Sequence, residues 1–252
     1  MRIDAYLYEK DLAPSRTKAK ELVESGRVSV NGKVITKPAY DVSENDTVTV
    51  AESDRTEYVG RGGIKLEAAL DSFCVDVKGA VCADIGASTG GFTDCLLRRG
   101  AVKVFAIDSG TGQLSPILEQ DSRVVSLQGV NARYINTEDL YGEKVDVVVM
   151  DVSVISQKLI YPAIKSIAKD GADIITLIKP QFEAGKENIG KNGIVKSDGV
   201  RKKVTDDIAE FGLMFGFEKM GLIESPIKGG SGNTEFLIYF KNTGKGYVEN
   251  DI

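Results

Sequence analysis

The chain has no histidine among its 252 residues. That absence removes the Ser-His-Asp triad, the imidazole base and the histidine metal ligand at once. Any proton chemistry must therefore run through Lys, Asp, Glu, Tyr or Cys. Cysteine is scarce too: Cys74, Cys82 and Cys95 form no C-x-x-C pair and leave one thiol unmatched. A disulfide framework and a thiolate metal site are both disfavoured, no metal is expected, and a reducing compartment is favoured. Long apolar runs are missing as well, since no uncharged stretch approaches the ~18 residues that a membrane helix needs. The opening residues MRIDAYLYEKD carry charge from the second position and no apolar core of a signal peptide. The expectation is a soluble cytoplasmic protein without a membrane segment.

What is present is the composition of a globular protein, 42% hydrophobic and 27% charged, with a formal net charge of -5. Its length suits one or two domains. Up to about residue 55 the apolar stretches are short. From about residue 80, Val/Ile-rich runs alternate with helical patterns at α/β spacing. The polar, glycine-ended stretch between them reads as a linker. This predicts an N-terminal segment over 1–55, a linker over 56–63, an α/β domain over 64–245 and a loose tail over 246–252.

In the first segment Ser15 is placed to cap a helix that ends at Gly26, with Ala19, Leu22 and Val23 as its core stripe. VSVNGKVI then reads as a hairpin, because Asn31-Gly32 suits the two left-handed positions of a type I′ turn. Residues 14–40 hold six bases, Arg16, Lys18, Lys20, Arg27, Lys33 and Lys37, against two acids, Glu21 and Glu24. Charge alone favours a solvated helix face, but an acidic whole chain does not exclude a local phosphate-binding patch. The stretch from RIDAYLYEKD to NDTVTV resembles the S-four RNA-binding domain in its helix-helix-hairpin order, its SR pair and its GRVSVNGK segment. That resemblance implies contacts to structured RNA from Arg2, Ser15, Arg16, Lys18, Lys20, Arg27, Asn31, Lys33 and Lys37.

VCADIGASTGGFTDCLLRRG is a strand candidate at Val81 to Ile85, a glycine loop, and a helix from Phe92 to Arg99. Such a unit suits a nucleotide-type ligand. Its glycines, Gly86, Gly90 and Gly91, match neither the dinucleotide fingerprint nor a P-loop. Asp84 just before them suits a positively charged ligand centre, and Asp108, 22 residues past Gly86 at the next strand end, suits ribose hydroxyls. The set resembles the S-adenosyl-L-methionine site of Rossmann-like methyltransferases. By that resemblance Asp84, Gly86, Ala87, Ser88, Thr89, Gly90, Gly91, Phe92, Asp108 and Asp151 hold the cofactor, with Asn131 and Ala132 near its adenine. The bland alternative for the loop is a tight strand-to-helix turn.

No Pro-Pro follows Asp151 in VDVVVMDVSVIS, as amino-group methylation of bases would require by resemblance to those enzymes. No cysteine lies near that strand end to attack a cytosine carbon. The charged residues at strand ends are Asp151, Lys179 and Glu235, with Lys65 in GRGGIKLEAAL ahead of them. Singly, each reads as a solvated charge. As a set they resemble the Lys-Asp-Lys-Glu tetrad of FtsJ-type ribose 2′-O-methyltransferases, which implies catalytic roles for Lys65, Asp151, Lys179 and Glu235.

Together with the N-terminal segment, the stretches GRGGIKLEAAL, DIGASTGGFTD, DVSVIS, LIKPQFEAGK and SPIKGGSGNTEF resemble the TlyA, or hemolysin-like, ribosomal RNA methyltransferases. Val154 departs from that pattern, where Phe is expected. The implied fold is a Rossmann-like S-adenosylmethionine-dependent methyltransferase domain with a small N-terminal α+β RNA-binding domain. The implied activity is 2′-O-methylation of ribosomal RNA, with cytidine as the target, and the implied partners are ribosomal RNA or ribosomal subunits. In chemical terms, a ribose hydroxyl is a weak nucleophile, so such an enzyme must align it with the methyl group and ease its deprotonation. Rival readings are a non-catalytic ribosome-associated RNA-binding factor and a small-molecule O-methyltransferase, and the second leaves the N-terminal segment without a purpose. A cytolysin would need an inserting segment that the sequence lacks. The segment EAGKENIGKNGIVKSDG, with glycines 185, 190, 193 and 199 and lysines 186, 191 and 196, reads equally as a substrate loop or a flexible connection.

Overall fold

The computed structural model describes residues 1–10, 12–13, 15–24, 26–43, 45–51 and 58–245, apart from the side chain of Lys191. The expected tail, 246–252, and the first part of the expected linker, 56–57, lie outside the described residues. The chain forms two compact units, Met1–Glu57 and Tyr58–Ile252.

The first unit packs helices α1 (Ile3–Glu9) and α2 (Arg16–Glu24) with strands β1 (Val28–Val30), β2 (Lys33–Ile35) and β3 (Val48–Val50). The strands form an antiparallel sheet in the order β2-β1-β3. The Ser15 hydroxyl oxygen accepts the Lys18 N–H at 3.2 Å and so caps α2. Ala19, Leu22 and Val23 are buried against Ile3, Leu7 and Val28. Asn31 (φ 51°) and Gly32 (φ 77°) turn the β1–β2 hairpin with Val30 opposite Lys33, as the type I′ reading expects.

The second unit is built on a seven-stranded sheet in the order β6-β5-β4-β7-β8-β10-β9. Its strands are β4 (Val81–Ile85), β5 (Lys103–Asp108), β6 (Val124–Gln128), β7 (Val145–Met150), β8 (Ala168–Ile178), β9 (Phe217–Glu224) and β10 (Phe236–Asn242). The first five in that order are parallel, while β10 runs antiparallel between β8 and β9. Side chains alternate between two cores. Phe105 and Ile107 join one with Tyr161, Ile164 and Ile208, whereas Val104 and Ala106 join the other with Leu66, Leu70 and Leu96. A parallel sheet covered on both faces needs that continuous apolar pattern. The covering helices are α3 (Gly62–Phe73) and α4 (Gly91–Arg98) over one core, and α6 (Tyr161–Ile167) and α8 (Asp198–Met214) over the other. Two single-turn helices, α5 (Pro116–Glu119) and α7 (Pro180–Glu183), sit in loops.

Residues 58–63 differ from the linker expected there. Val59 donates its N–H to Asp94 at 2.9 Å, Tyr58 donates to Glu67 at 2.8 Å, and α3 already begins at Gly62. The glycines mark close packing rather than looseness. A Cβ on Gly91 would stand 2.9 Å from the Gly60 carbonyl and 3.0 Å from the Gly63 nitrogen, so the two backbones meet only because side chains are missing on both sides.

Candidate active site

Strands β4, β5, β7 and β8 all end at one edge of the sheet, delivering Gly86, Asp108, Asp151 and Lys179 there. The chain reverses its direction of travel across the sheet between β4 and β7, which is where open α/β sheets leave a crevice. Glu235 reaches the same edge from the other direction. It precedes the antiparallel β10, whose Phe236 pairs with Ile178 at the end of β8.

Two adjoining cavities open at this edge. The larger, about 440 Å³, is lined by Gly86, Ser88, Asp108, Asn131, Ala132 and Asp151 among others. That volume lies within the usual range for a small-molecule site. The smaller, about 260 Å³, is lined by Arg61, Lys65, Thr89, Phe92, Asp151, Ser153 and Lys179, with Ala87 and Gly91 in its wall. Gly86, Ser88, Asp151 and Ser153 line both. Of the residues expected to hold a cofactor, two line neither cavity: Gly90 and Asp84. A Cβ on Gly90 would collide with Leu114 and Leu118, so this glycine serves packing.

Asp84 is fully buried beneath the loop and accepts a hydrogen bond from the Thr93 hydroxyl at 2.6 Å. Its Oδ1 has no partner among the described residues. Burial pushes the carboxyl up to about 7, against the lowering effect of the Thr93 hydrogen bond. The sequence places Asp84 beside the ligand, whereas the inward side of a pleated strand carries it under the glycine turn. Asp108 is better placed. Its two oxygens accept the Ser88 and Gly110 N–H groups, each at 2.7 Å, which fixes the carboxylate at the wall of the larger cavity. An oriented acid there fits a ribose diol, and Gly86 lets the loop run against the Asp151 carbonyl, where a Cβ would clash.

The four charged residues expected to act together form two ion pairs. Lys179 Nζ lies 2.5 Å from Asp151 Oδ1 and donates to the Ser153 hydroxyl oxygen at 2.8 Å. Lys65 Nζ donates to Glu235 Oε2 at 2.5 Å, with the side chains 10% and 3% exposed. Lys65, Asp151 and Lys179 line the smaller cavity, and Glu235 joins them through Lys65.

Several supporting residues were not singled out in the sequence. Ser156 Oγ donates to Glu183 at 2.7 Å and the Gln157 N–H donates to it at 2.9 Å, tying the loop after Asp151 to α7 after Lys179. Burial holds the Glu183 carboxyl above its ordinary value. Asn233, also buried, accepts the Val195 N–H at 3.0 Å and donates to the Gly193 carbonyl at 2.9 Å. The glycine-lysine segment is thereby fastened two residues from Glu235. Ser153, Arg61 and Asn233 all lie inside stretches that the sequence marks, so stretch membership was the available signal. Cys82 and Cys95 are buried and offer no nucleophile to the site. Burial pushes the Cys82 and Cys95 thiols up to about 12.

In the first unit, Arg2 and Arg16 converge on the buried Asp4, at 3.0 and 3.5 Å. Asp4 is held below its ordinary value, chiefly by the Arg2 hydrogen bond. Lys18 and Lys20 pair with Glu21 and Glu24 along α2, and Arg27 donates to the Ala51 carbonyl at 3.0 Å. Lys33 and Lys37 are exposed. The amide of Asn31 is committed within the unit, donating to Asp46 at 2.8 Å and accepting the Thr47 N–H at 2.9 Å, so its role is to pin the hairpin. Among the described residues there is no cluster able to hold a metal ion, and no helix is long and apolar enough to cross a membrane.

Residues 58–242 match the family model described as FtsJ-like methyltransferase, and residues 1–48 match the S4 domain. The chain is 42% identical to Hemolysin A of Brachyspira hyodysenteriae over 95% of its own length and 99% of that protein. It is also 42% identical to the 16S/23S rRNA (cytidine-2'-O)-methyltransferase TlyA of Mycobacterium tuberculosis, over 95% of this chain and 89% of the relative. Among solved structures, a hemolysin-type protein from Streptococcus thermophilus superposes with a TM-score of 0.77 at 41% identity, covering 99% of this chain and 90% of that one.

Proposed function

The chain belongs to the FtsJ-like methyltransferases and carries an S4 domain at its N-terminus, and from that footing we propose that it methylates ribose 2′-hydroxyls of ribosomal RNA at cytidine, using S-adenosyl-L-methionine. The observation that carries the reading is the pair of ion pairs, Lys179–Asp151 and Lys65–Glu235, beside a cavity walled by the glycine loop and Asp108. The names of the relatives support rRNA and cytidine as the target.

S-adenosyl-L-methionine supplies an activated methyl group when bound. The residues fit it: Asp108 suits the ribose diol, Asn131 and Ala132 border the larger cavity for the adenine, and the backbone of Gly86 to Ser88 joins the two cavities. Around the target hydroxyl, the Lys179 ammonium polarises the oxygen and steadies its developing negative charge while the oxygen gains the methyl group and releases its proton to water. Asp151 and Ser153 hold the lysine ammonium in place, since both contact it. Lys65, fixed by Glu235, holds the substrate ribose and balances charge in the smaller cavity. The basic side chains of the first unit, Arg2, Arg16, Lys18, Lys20, Arg27, Lys33 and Lys37, grip RNA backbone. Cytoplasmic location accords with such a substrate.

The test incubates the purified protein with methyl-labelled S-adenosyl-L-methionine and unmodified small or large ribosomal subunits. Label at a cytidine that resists alkaline cleavage is expected. Cofactor binding by calorimetry with no label on either subunit would overturn the reading.

A further inference from the structure

In the smaller cavity each lysine already has a carboxylate: Lys65 has Glu235 and Lys179 has Asp151. Arg61 lines the same cavity, is exposed, and has no carboxylate partner among the described residues. The cavity therefore carries one uncompensated positive charge, on the side chain best shaped to take two oxygens of a phosphate at once. We propose that Arg61 is a positioning residue that binds the RNA phosphodiester adjoining the target ribose.

Two further observations bear on this. First, the arginine is presented on a fixed backbone. Tyr58 to Gly63 is pinned by the Val59–Asp94 hydrogen bond and by the approach of Gly60 and Gly63 to Gly91, the first residue of α4. Second, the guanidinium reaches toward the loop that precedes Glu235, since a Cβ on Gly230 would stand 3.8 Å from Arg61 Nη2. Arg61 thus spans the opening between the glycine loop and the Lys65–Glu235 pair. Ribose chemistry supplies the ligand. The carbon next to C2′ carries the 3′ phosphate, so a ribose whose 2′-hydroxyl meets Lys179 brings a phosphodiester into the same cavity. With both lysines neutralised by their acids, Arg61 is the group left to receive that charge. A preorganised fork there costs little ordering on binding and holds the RNA strand in the cavity equally before and during transfer.

The inference rests on the proposed RNA methylation, and two measurements keep them apart. Methyl transfer by the unaltered protein to unmodified subunits reads the function. Binding of the same ribosomal RNA across a series of salt concentrations, for the unaltered protein, Arg61→Ala and Arg61→Lys, reads the inference without catalysis. Loss of one phosphate contact should lower the salt slope by about one counterion and weaken binding severalfold, with Arg61→Lys in between. In transfer assays Arg61→Ala should raise KM for RNA about tenfold while kcat changes little, as expected of a group that binds ground and transition states alike. Cofactor affinity by calorimetry should not change, which also shows that the variant folds. An unchanged slope and KM would overturn the proposal. So would a lower kcat at constant KM, or a loss confined to cofactor binding.

Discussion

Lys65 and Glu235 stand 170 residues apart in the chain and meet at 2.5 Å in the interior. The pair joins α3 to the loop before β10 and closes one side of the candidate active site. A buried ion pair is costly to break because the survivor keeps its charge without compensation. Lys65→Ala and Glu235→Ala should each destabilise the fold by about 3–5 kcal/mol. The double replacement Lys65→Met with Glu235→Leu should recover most of the loss. Urea unfolding of the three variants checks this, and losses that simply add in the double variant would count against it.

The buried Asp84 predicts a pH dependence in the protein without cofactor. Burial pushes its carboxyl up to about 7 in the folded state, from an ordinary value of 3.8. Below about pH 4 the folded and unfolded chains both carry the proton, and this group favours neither. Between there and about pH 7 the unfolded chain releases it while the folded chain retains it, so stability falls as pH rises, then levels off. Asp84→Asn keeps an oxygen for the Thr93 hydroxyl and removes the titration. Its thermal midpoint should gain on that of the unaltered protein between pH 5 and pH 8. A constant difference between the two would remove Asp84 as the source.

Lys179 is held by Asp151 and Ser153 at the end of β8. Lys179→Ala should lower methyl transfer at least about 100-fold, the scale expected when a positioned donor to the developing charge is lost. Binding of RNA and of S-adenosyl-L-methionine should stay close to normal, because Asp108 and the first unit are untouched. Turnover within a few fold of the unaltered protein would end the assignment of Lys179 to the reacting hydroxyl.

The strand ends were legible in the sequence because each is a local event. A Val/Ile run followed by glycine or a charge fixes Gly86, Asp108, Asp151 and Lys179 at one edge once the strands are parallel. The pairing was not legible. Nothing near Lys65 says that its acid is Glu235 rather than Asp151. Residues 58–63 are not legible for a related reason: three glycines look like slack, and only the approach of Gly91, about thirty positions later, shows that they are contact surfaces. The sequence puts Asp84 on its strand, but whether a strand-end side chain rises into the crevice or falls beneath the turn depends on the pleat and on Thr93.

Val154 carries a further consequence of the turn after Asp151. It holds φ at 68° with 86% of its surface exposed, at the rim of the larger cavity. A β-branched residue in that conformation is strained, and no burial of its side chain offsets the strain. The neighbouring Ser153 must reach Lys179 and Ser156 must reach Glu183, so the loop is held in its turn from both sides. Val154→Gly removes the Cβ clash, worth roughly 1–2 kcal/mol, against a backbone entropy cost of roughly 0.5–1 kcal/mol. The variant should therefore be more stable by up to about 1.5 kcal/mol, read as a higher urea midpoint with an unchanged slope. Val154→Ile, which keeps the branched Cβ, should show no such gain. A Val154→Gly protein that unfolds earlier than the unaltered chain would show that the side chain contributes contacts outweighing its strain.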